Sequence, residues 1–320
     1  MLTEAQKLQK QKELEKAQKD VMESIEKATN SPEDMKELLT FLSKYSNYSI
    51  KNRILLHRQG AKAVKSYKGW QDAGYQVQKG EKALKIWTPV VIKSFVSNGK
   101  KKSLKYATKQ EKNLIAQGVL PVSTWVTFNL RACVFDALQT DMPDDELPKL
   151  YANKHIDREI DTQKAQEIIS SVENVINRLG VTLENPALEE WNGGFAKGYY
   201  VPSSKKIVMN PKNTDYEKIN VLIHETAHAI LHSKNENKVS KELGLKLDEN
   251  SYEIGELQAE MTAYLTAKSL GMESEEDSVS YMAGWTKNGL KFKEMGYENQ
   301  EKVLDDVVKV SDYILEEIVK

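Results

Sequence analysis

One cysteine, Cys133, stands in 320 residues, so no internal disulfide framework is open to this chain. Set in the apolar run Ala132, Val134, Phe135, that cysteine reads as an inert buried thiol and fits a reducing compartment. No apolar stretch approaches the roughly 18–20 residues that a membrane span needs, and the N-terminal MLTEAQKLQKQKELEKAQKD has no signal-peptide core. A soluble, cytoplasmic protein without a membrane partner is the expectation. Histidine is also scarce, five in all, which gives weight to any ordered spacing among those few.

Net charge is nearly absent, at −1, but its distribution is uneven. Between Lys44 and Lys112 stand 17 Lys and Arg against three acids, Asp72, Glu81 and Glu111, about +14 by count. Such asymmetry marks an electropositive surface suited to a polyanion, although a solvated lysine-rich face would look the same.

The length allows two domains. Residues 1–30 alternate Lys and Glu with few apolar positions and read as a charged N-terminal arm or helix. Ser31-Pro32-Glu33-Asp34 starts a helix, with Ser31 as cap and Pro32 in the first turn. A second helix is expected around Ser49 to Gln59. Short strands follow at Tyr75–Val77, Leu84–Trp87 and Val90–Ile92, with another at Trp125–Phe128 or Arg131–Phe135. These make 31–140 an α/β domain. A polar, acidic, proline-punctuated stretch from Thr140 to Pro148 places a linker over 141–160. In 161–320 a helix from Thr162 to Leu179, strands within Gly198–Asn210 and helices near 215–233, 253–270 and 299–318 predict a mainly helical domain with a small sheet. The fold class expected is α+β.

His224-Glu225-Thr226-Ala227-His228 is an HExxH motif in a helical run. Positions i and i+4 share a helix face, so both imidazoles reach one ion while Glu225 sits beside its open side as general base. Zinc fits this donor set; manganese or cobalt is not excluded. A later helix carries Glu256 and Glu260, also i and i+4, candidates for third ligand and for the carboxylate that fixes a ligand imidazole. His232 lacks the spacing of a metzincin third ligand and reads as structural. Tyr199 or Tyr200, in the strands before the motif, could assist at an oxyanion or simply be core aromatics in a hairpin.

HETAHAILH followed by ELQAEMTAYLTAKSLG resembles the ImmA/IrrE-type gluzincin metallopeptidases; the resemblance makes Glu256 the third ligand and Glu260 the outer acid. YSIKNRILLHRQG, Gly69-Trp70, Gly74-Tyr75-Gln76-Val77, Lys79-Gly80-Glu81-Lys82 and Val134-Phe135-Asp136 resemble the single-stranded DNA-binding domain of ArdC-type, LtrC-like antirestriction proteins. Together the two resemblances cover about residues 33 to 272. They imply a plasmid- or conjugative-element protein acting in antirestriction or DNA transfer, with single-stranded DNA and an unidentified peptide substrate as partners. Basic and aromatic residues that would meet DNA are Tyr48, Lys51, Arg53, Tyr67, Lys68, Trp70, Lys79, Lys82, Lys85 and Trp87. Two alternatives stay open: a regulatory metalloendopeptidase that cleaves a repressor, and a purely DNA-binding protective protein with a non-catalytic metal site.

Overall fold

Helix α1, Glu4–Ala28, opens the computed structural model, which describes residues 4–45, 48–97, 99–143, 161–194, 196–233, 237–245, 252–272 and 289–320. Of the expected charged arm or helix, the helix is what forms, and one side of it is not left in solvent. Ala17, Val21, Ile25 and Ala28 recur at helical spacing and are all buried, an apolar stripe too narrow to stand out among the lysines and glutamates around it. That stripe packs on α2, Pro32–Leu42, and α3, Ile50–Arg58. The α2 start is as read from sequence: the Ser31 hydroxyl accepts from the Asp34 N–H at 3.0 Å.

Contacts divide the chain into two units, Met1–Ala63 with Met142–Lys320, and Val64–Asp141. These units cut across the expected segments, because α1 to α3 belong with the C-terminal half. Residues 144–160, most of the expected linker, lie outside the described residues.

The unit of residues 64–141 contains β1, Val64–Ser66, α4, Tyr67–Asp72, β2, Leu84–Ser97, β3, Lys100–Ser103, α5, Lys109–Ala116, and β4, Val122–Asp136. Its sheet is antiparallel in the order β1-β4-β2-β3. The two short runs at 84–87 and 90–92 are one strand that continues through Pro89. Both candidates for the next strand are parts of β4. Proline is tolerated there because β3 pairs only with Ser94–Ser97, leaving one side of β2 without a partner strand at Pro89 among the described residues. The strand expected at Tyr75–Val77 is reduced to one bridge, Val77 with Thr140.

In the other unit follow α6, Thr162–Arg178, β5, Thr182–Glu184, β6, Gly198–Val201, β7, Lys206–Met209, α7, Asp215–Leu231, α8, Lys238–Glu242, α9, Tyr252–Ser269, and α10, Tyr297–Val319. The small sheet has order β5-β7-β6, with β6 at its edge. Its core joins Val172 and Ile176 of α6, Ile219 and Ile223 of α7, Ala259 of α9, Ile207 of β7 and Ile314 of α10, all fully or almost fully buried. The N-terminal helices complete the far side: Thr40 Oγ1 lies 3.2 Å from the Tyr264 hydroxyl, and Ser269 donates to the Ser43 carbonyl.

Candidate metal centre

Helix α7 is started by a capping box in which the Thr214 hydroxyl accepts from the Glu217 N–H and the Glu217 carboxylate accepts from the Thr214 N–H. Its apolar face, with Leu222, Ile223, Ala227 and Ile230, is buried, which turns His224 and His228 together toward α9. Strand β6 comes close from the sheet side. A Cβ added at Gly198 would meet Val221 Cγ1 at 2.6 Å, so only glycine allows the strand this near the helix.

The Nε2 atoms of His224 and His228 lie 3.1 Å apart. Glu256 on α9 places Oε2 at 3.9 Å from His224 Nε2 and Oε1 at 3.6 Å from His228 Nε2. Tetrahedral ligands at zinc–nitrogen distances of about 2.0–2.1 Å are roughly 3.3 Å apart, so this triangle of donors matches the size a zinc-like ion requires. The three residues form a group with ligand atoms all within 4.8 Å of one another. Burial, the nearby His228 and His232, and against them the Glu256 charge, set the His224 pKa, with burial dominant and the net direction down. At Glu256 burial opposes ionisation, but the neighbouring side chains of His228, His224 and Tyr252 outweigh it and hold the carboxyl below its usual range. A neutral imidazole beside an ionised carboxylate is the protonation state that metal binding needs.

Glu225, between the two histidines in the motif, is buried as well. Burial pushes its carboxyl up to about 7, aided by the charges of Glu256 and Glu260, while His228 and the backbone N–H of Tyr200 pull the other way. Tyr200 thus reaches the site through its backbone, and its ring is half-buried against the core. The Tyr199 hydroxyl is held by Asn192 Oδ1 at 3.2 Å, with the ring against Trp191. The tyrosine hydrogen-bonded to a candidate ligand is Tyr252, on Glu256, which sequence reasoning did not single out. His232, read as structural, stands against a candidate ligand. Its Nδ1 lies 2.9 Å from His228 Nδ1, and its Nε2 lies 3.1 Å from Gln258 Oε1. His232 therefore faces one ligand imidazole directly, and the charge of Glu260 acts on Glu225.

The residues expected to meet DNA are divided between the two units. Arg53 is 1% exposed; it donates to the carbonyls of Leu42 and Tyr48, both at 2.7 Å, and to Asp312. Trp70 is fully buried, with Nε1 donating to the Phe135 carbonyl at 2.8 Å. Both are corrections: a buried cation already bonded on three sides and a core indole have no face to offer a nucleic acid. Lys51 pairs with Glu301 at 2.8 Å, and Tyr48 is half-buried beside it in the same unit. Tyr67, Lys68, Lys79 and Lys82 are exposed and Lys85 and Trp87 half-exposed, all in the unit of residues 64–141. That unit carries 13 Lys and Arg against five Asp and Glu, a net charge of +8.

Among the described residues no helix is long and apolar enough to cross a membrane. Comparison with known proteins gives two family matches. Residues 173–293 match a model described as zincin-like metallopeptidase, and residues 11–120 match the N-terminal domain of anti-restriction factor ArdC. An uncharacterized protein of Bacillus anthracis is 35% identical over 287 residues, which is 86% of this chain and 46% of that protein. The chain thus spans about half the length of the curated relative it matches. Crystal structures of the antirestriction ArdC protein from R388 plasmid are 18% identical over 85% of each chain. Their TM-scores are 0.43 for the metal-free structure and 0.39 for the Mn(II)-bound one. By these two family matches, in this order along the sequence, the chain joins an N-terminal domain of the ArdC antirestriction family to a zincin-like metallopeptidase domain.

Proposed function

We propose that this protein is a zinc-dependent peptidase that also binds single-stranded DNA, and that it serves antirestriction or DNA transfer for a plasmid or conjugative element. The observation that carries the peptidase half is the donor triangle of His224, His228 and Glu256 with a buried carboxylate, Glu225, next to it. A divalent cation held by these three side chains would supply Lewis acidity toward a peptide carbonyl and a water molecule. Glu225 takes the proton from that water as its oxygen attacks the carbonyl carbon, then passes the proton to the leaving nitrogen as the C–N bond breaks. Edge strand β6 lies beside Glu225 through the Tyr200 N–H, and an extended peptide would align against it by strand addition.

The DNA half rests on the match to the ArdC N-terminal domain and on the +8 charge of residues 64–141. Restriction of incoming DNA is the process such a protein would oppose, and the enzyme's substrate would be a protein of that pathway.

The test is the Glu225→Gln variant, which keeps the side chain's shape and removes its basicity. Expected is metal binding as in wild type, loss of peptide cleavage by at least about 100-fold, and unchanged affinity for a labelled oligonucleotide. Protection of transferred DNA that survives Glu225→Gln would show the cellular role to be DNA binding alone. Protection lost with DNA affinity intact would place cleavage at its centre.

A further inference from the structure

Strands β2 and β4 form a long ribbon whose register fixes two faces. Pro89 pairs with Phe128, Val91 with Val126 and Lys93 with Thr124, so these six side chains share one face. The other face carries Trp125 opposite Ile92, and there the Trp125 ring is already covered by Lys101, whose Nζ lies 3.8 Å from the centroid. On the first face nothing comparable among the described residues covers the apolar groups: Val91, Val126 and Phe128 are 58%, 54% and 60% exposed. Three large apolar side chains in register, on a sheet with unpaired stretches of edge, would invite aggregation unless they had an occupant.

We infer that this face of the ribbon, with Phe128 as its stacking platform and Lys93 as a phosphate contact, is the seat of a single strand of DNA. The inference rests on the DNA half of the function proposed above and locates it. Charge complementarity selects the occupant. The unit of 64–141 bears +8, so a second copy docking here through the same face would bring like charge against like charge. A duplex satisfies the charge but hides its base faces in its own stack. A single strand offers both a polyanionic backbone and exposed rings, which is what an aromatic platform bordered by lysine accepts. With Arg53 and Trp70 buried, this strip offers an exposed aromatic ring in register with exposed apolar neighbours and a lysine.

The experiment uses the full-length protein and a labelled oligothymidylate, read by fluorescence anisotropy across a salt series, with duplex as competitor. Phe128→Ala is expected to weaken binding at least about five-fold, and Phe128→Trp to retain it. Lys93→Ala is expected to lower the slope of log affinity against log salt by about 0.7, one phosphate contact on a single strand. Both side chains are exposed, and circular dichroism would check that the fold is kept. If wild type binds no oligothymidylate at low salt, the DNA half of the proposed function falls and this site with it. If wild type binds and neither Phe128→Ala nor Lys93→Ala changes affinity, the DNA reading survives and this face is overturned. A face that serves self-association would instead show Phe128→Ala dissolving a dimer by light scattering while DNA binding stays intact, and that too overturns the site.

Discussion

At His228 a proton count can be completed. A glutamine amide oxygen only accepts, so Gln258 Oε1 at 3.1 Å requires the proton of His232 to sit on Nε2. Burial, chiefly, holds the His232 pKa down at about 4, so its ring is neutral and Nδ1 carries a lone pair. His228 Nδ1, 2.9 Å away, must then donate, which keeps Nε2, facing His224 and Glu256, as the nitrogen that can offer its lone pair to a cation. Gln258 and His232 therefore set the tautomer that a cation needs, the duty usually given to a carboxylate or carbonyl. His232→Ala should weaken metal affinity about 10- to 100-fold, measured by competition with a chromophoric chelator, with helix content unchanged. Gln258→Glu, still an acceptor, should keep it. Equal affinity in wild type and His232→Ala would remove the relay from the account. The motif spacing made His224, Glu225 and His228 legible because i and i+4 on a helix is local geometry. The same spacing test set His232 aside, since it asks whether a residue can be a ligand and not whether it can hold one.

The start of α2 was legible because it carries a cap, Ser31, and the start of α6 at Thr162 was legible from its apolar periodicity alone, with no side-chain cap there. The strands within Gly198–Asn210 were legible as β6 and β7, but β2 was not read whole, since alternation breaks at Pro89 and the stretch reads as two pieces, whereas cross-strand pairing with β4 carries it through. Helix α5 escaped notice although its capping box, Thr108 with Glu111, is in plain sequence. That box has a measurable consequence. Hydrogen bonding from Lys102 first, then from the Thr108 backbone, depresses the Glu111 carboxyl from 4.5 to about 2. A depressed folded-state pKa contributes stability that is present above the unfolded value and disappears as pH falls through the folded one. Glu111→Gln keeps a capping-box side chain and loses only the charge. Thermal unfolding should show wild type more stable than Glu111→Gln above about pH 5, with the gap closing on the way to about pH 2. A gap independent of pH would mean that the carboxylate's charge is not what Lys102 holds.

Composition along the chain suggested a break near 141, yet the contacts place residues 1–63 with the metal-binding half. The signal was hidden because the joining groups are single residues scattered in a charged background: Arg53, Thr40, Ser43 and the α1 stripe. Arg53 is the most consequential, an enclosed guanidinium bonded to Asp312 of α10 and to two carbonyls. Arg53→Met takes the guanidinium away from Asp312 and from the Leu42 and Tyr48 carbonyls; Asp312 keeps some contact with water, 22% of its side chain, and the Leu42 carbonyl still accepts from the Tyr45 N–H, so the cost should fall at the low end for a broken buried pair, about 3 kcal/mol by urea denaturation. The same contacts decide which pieces of the chain stand alone. A fragment of 161–320 would expose the surfaces of α9 and α10 on which α1, α2 and α3 rest, including the groups facing Thr40 and Ser43. It should behave as a loosely packed, aggregation-prone species with no sharp thermal transition. The fragment 64–141 retains its whole four-stranded sheet together with the buried Trp70 and Phe95, and should give a dispersed amide NMR spectrum by itself. Supplying residues 1–63 in covalent linkage to 142–320, with 64–141 replaced by a flexible linker, should restore cooperative unfolding and metal binding. Failure of that linked chain to fold, beside a well-folded 161–320, would return the boundary to 141.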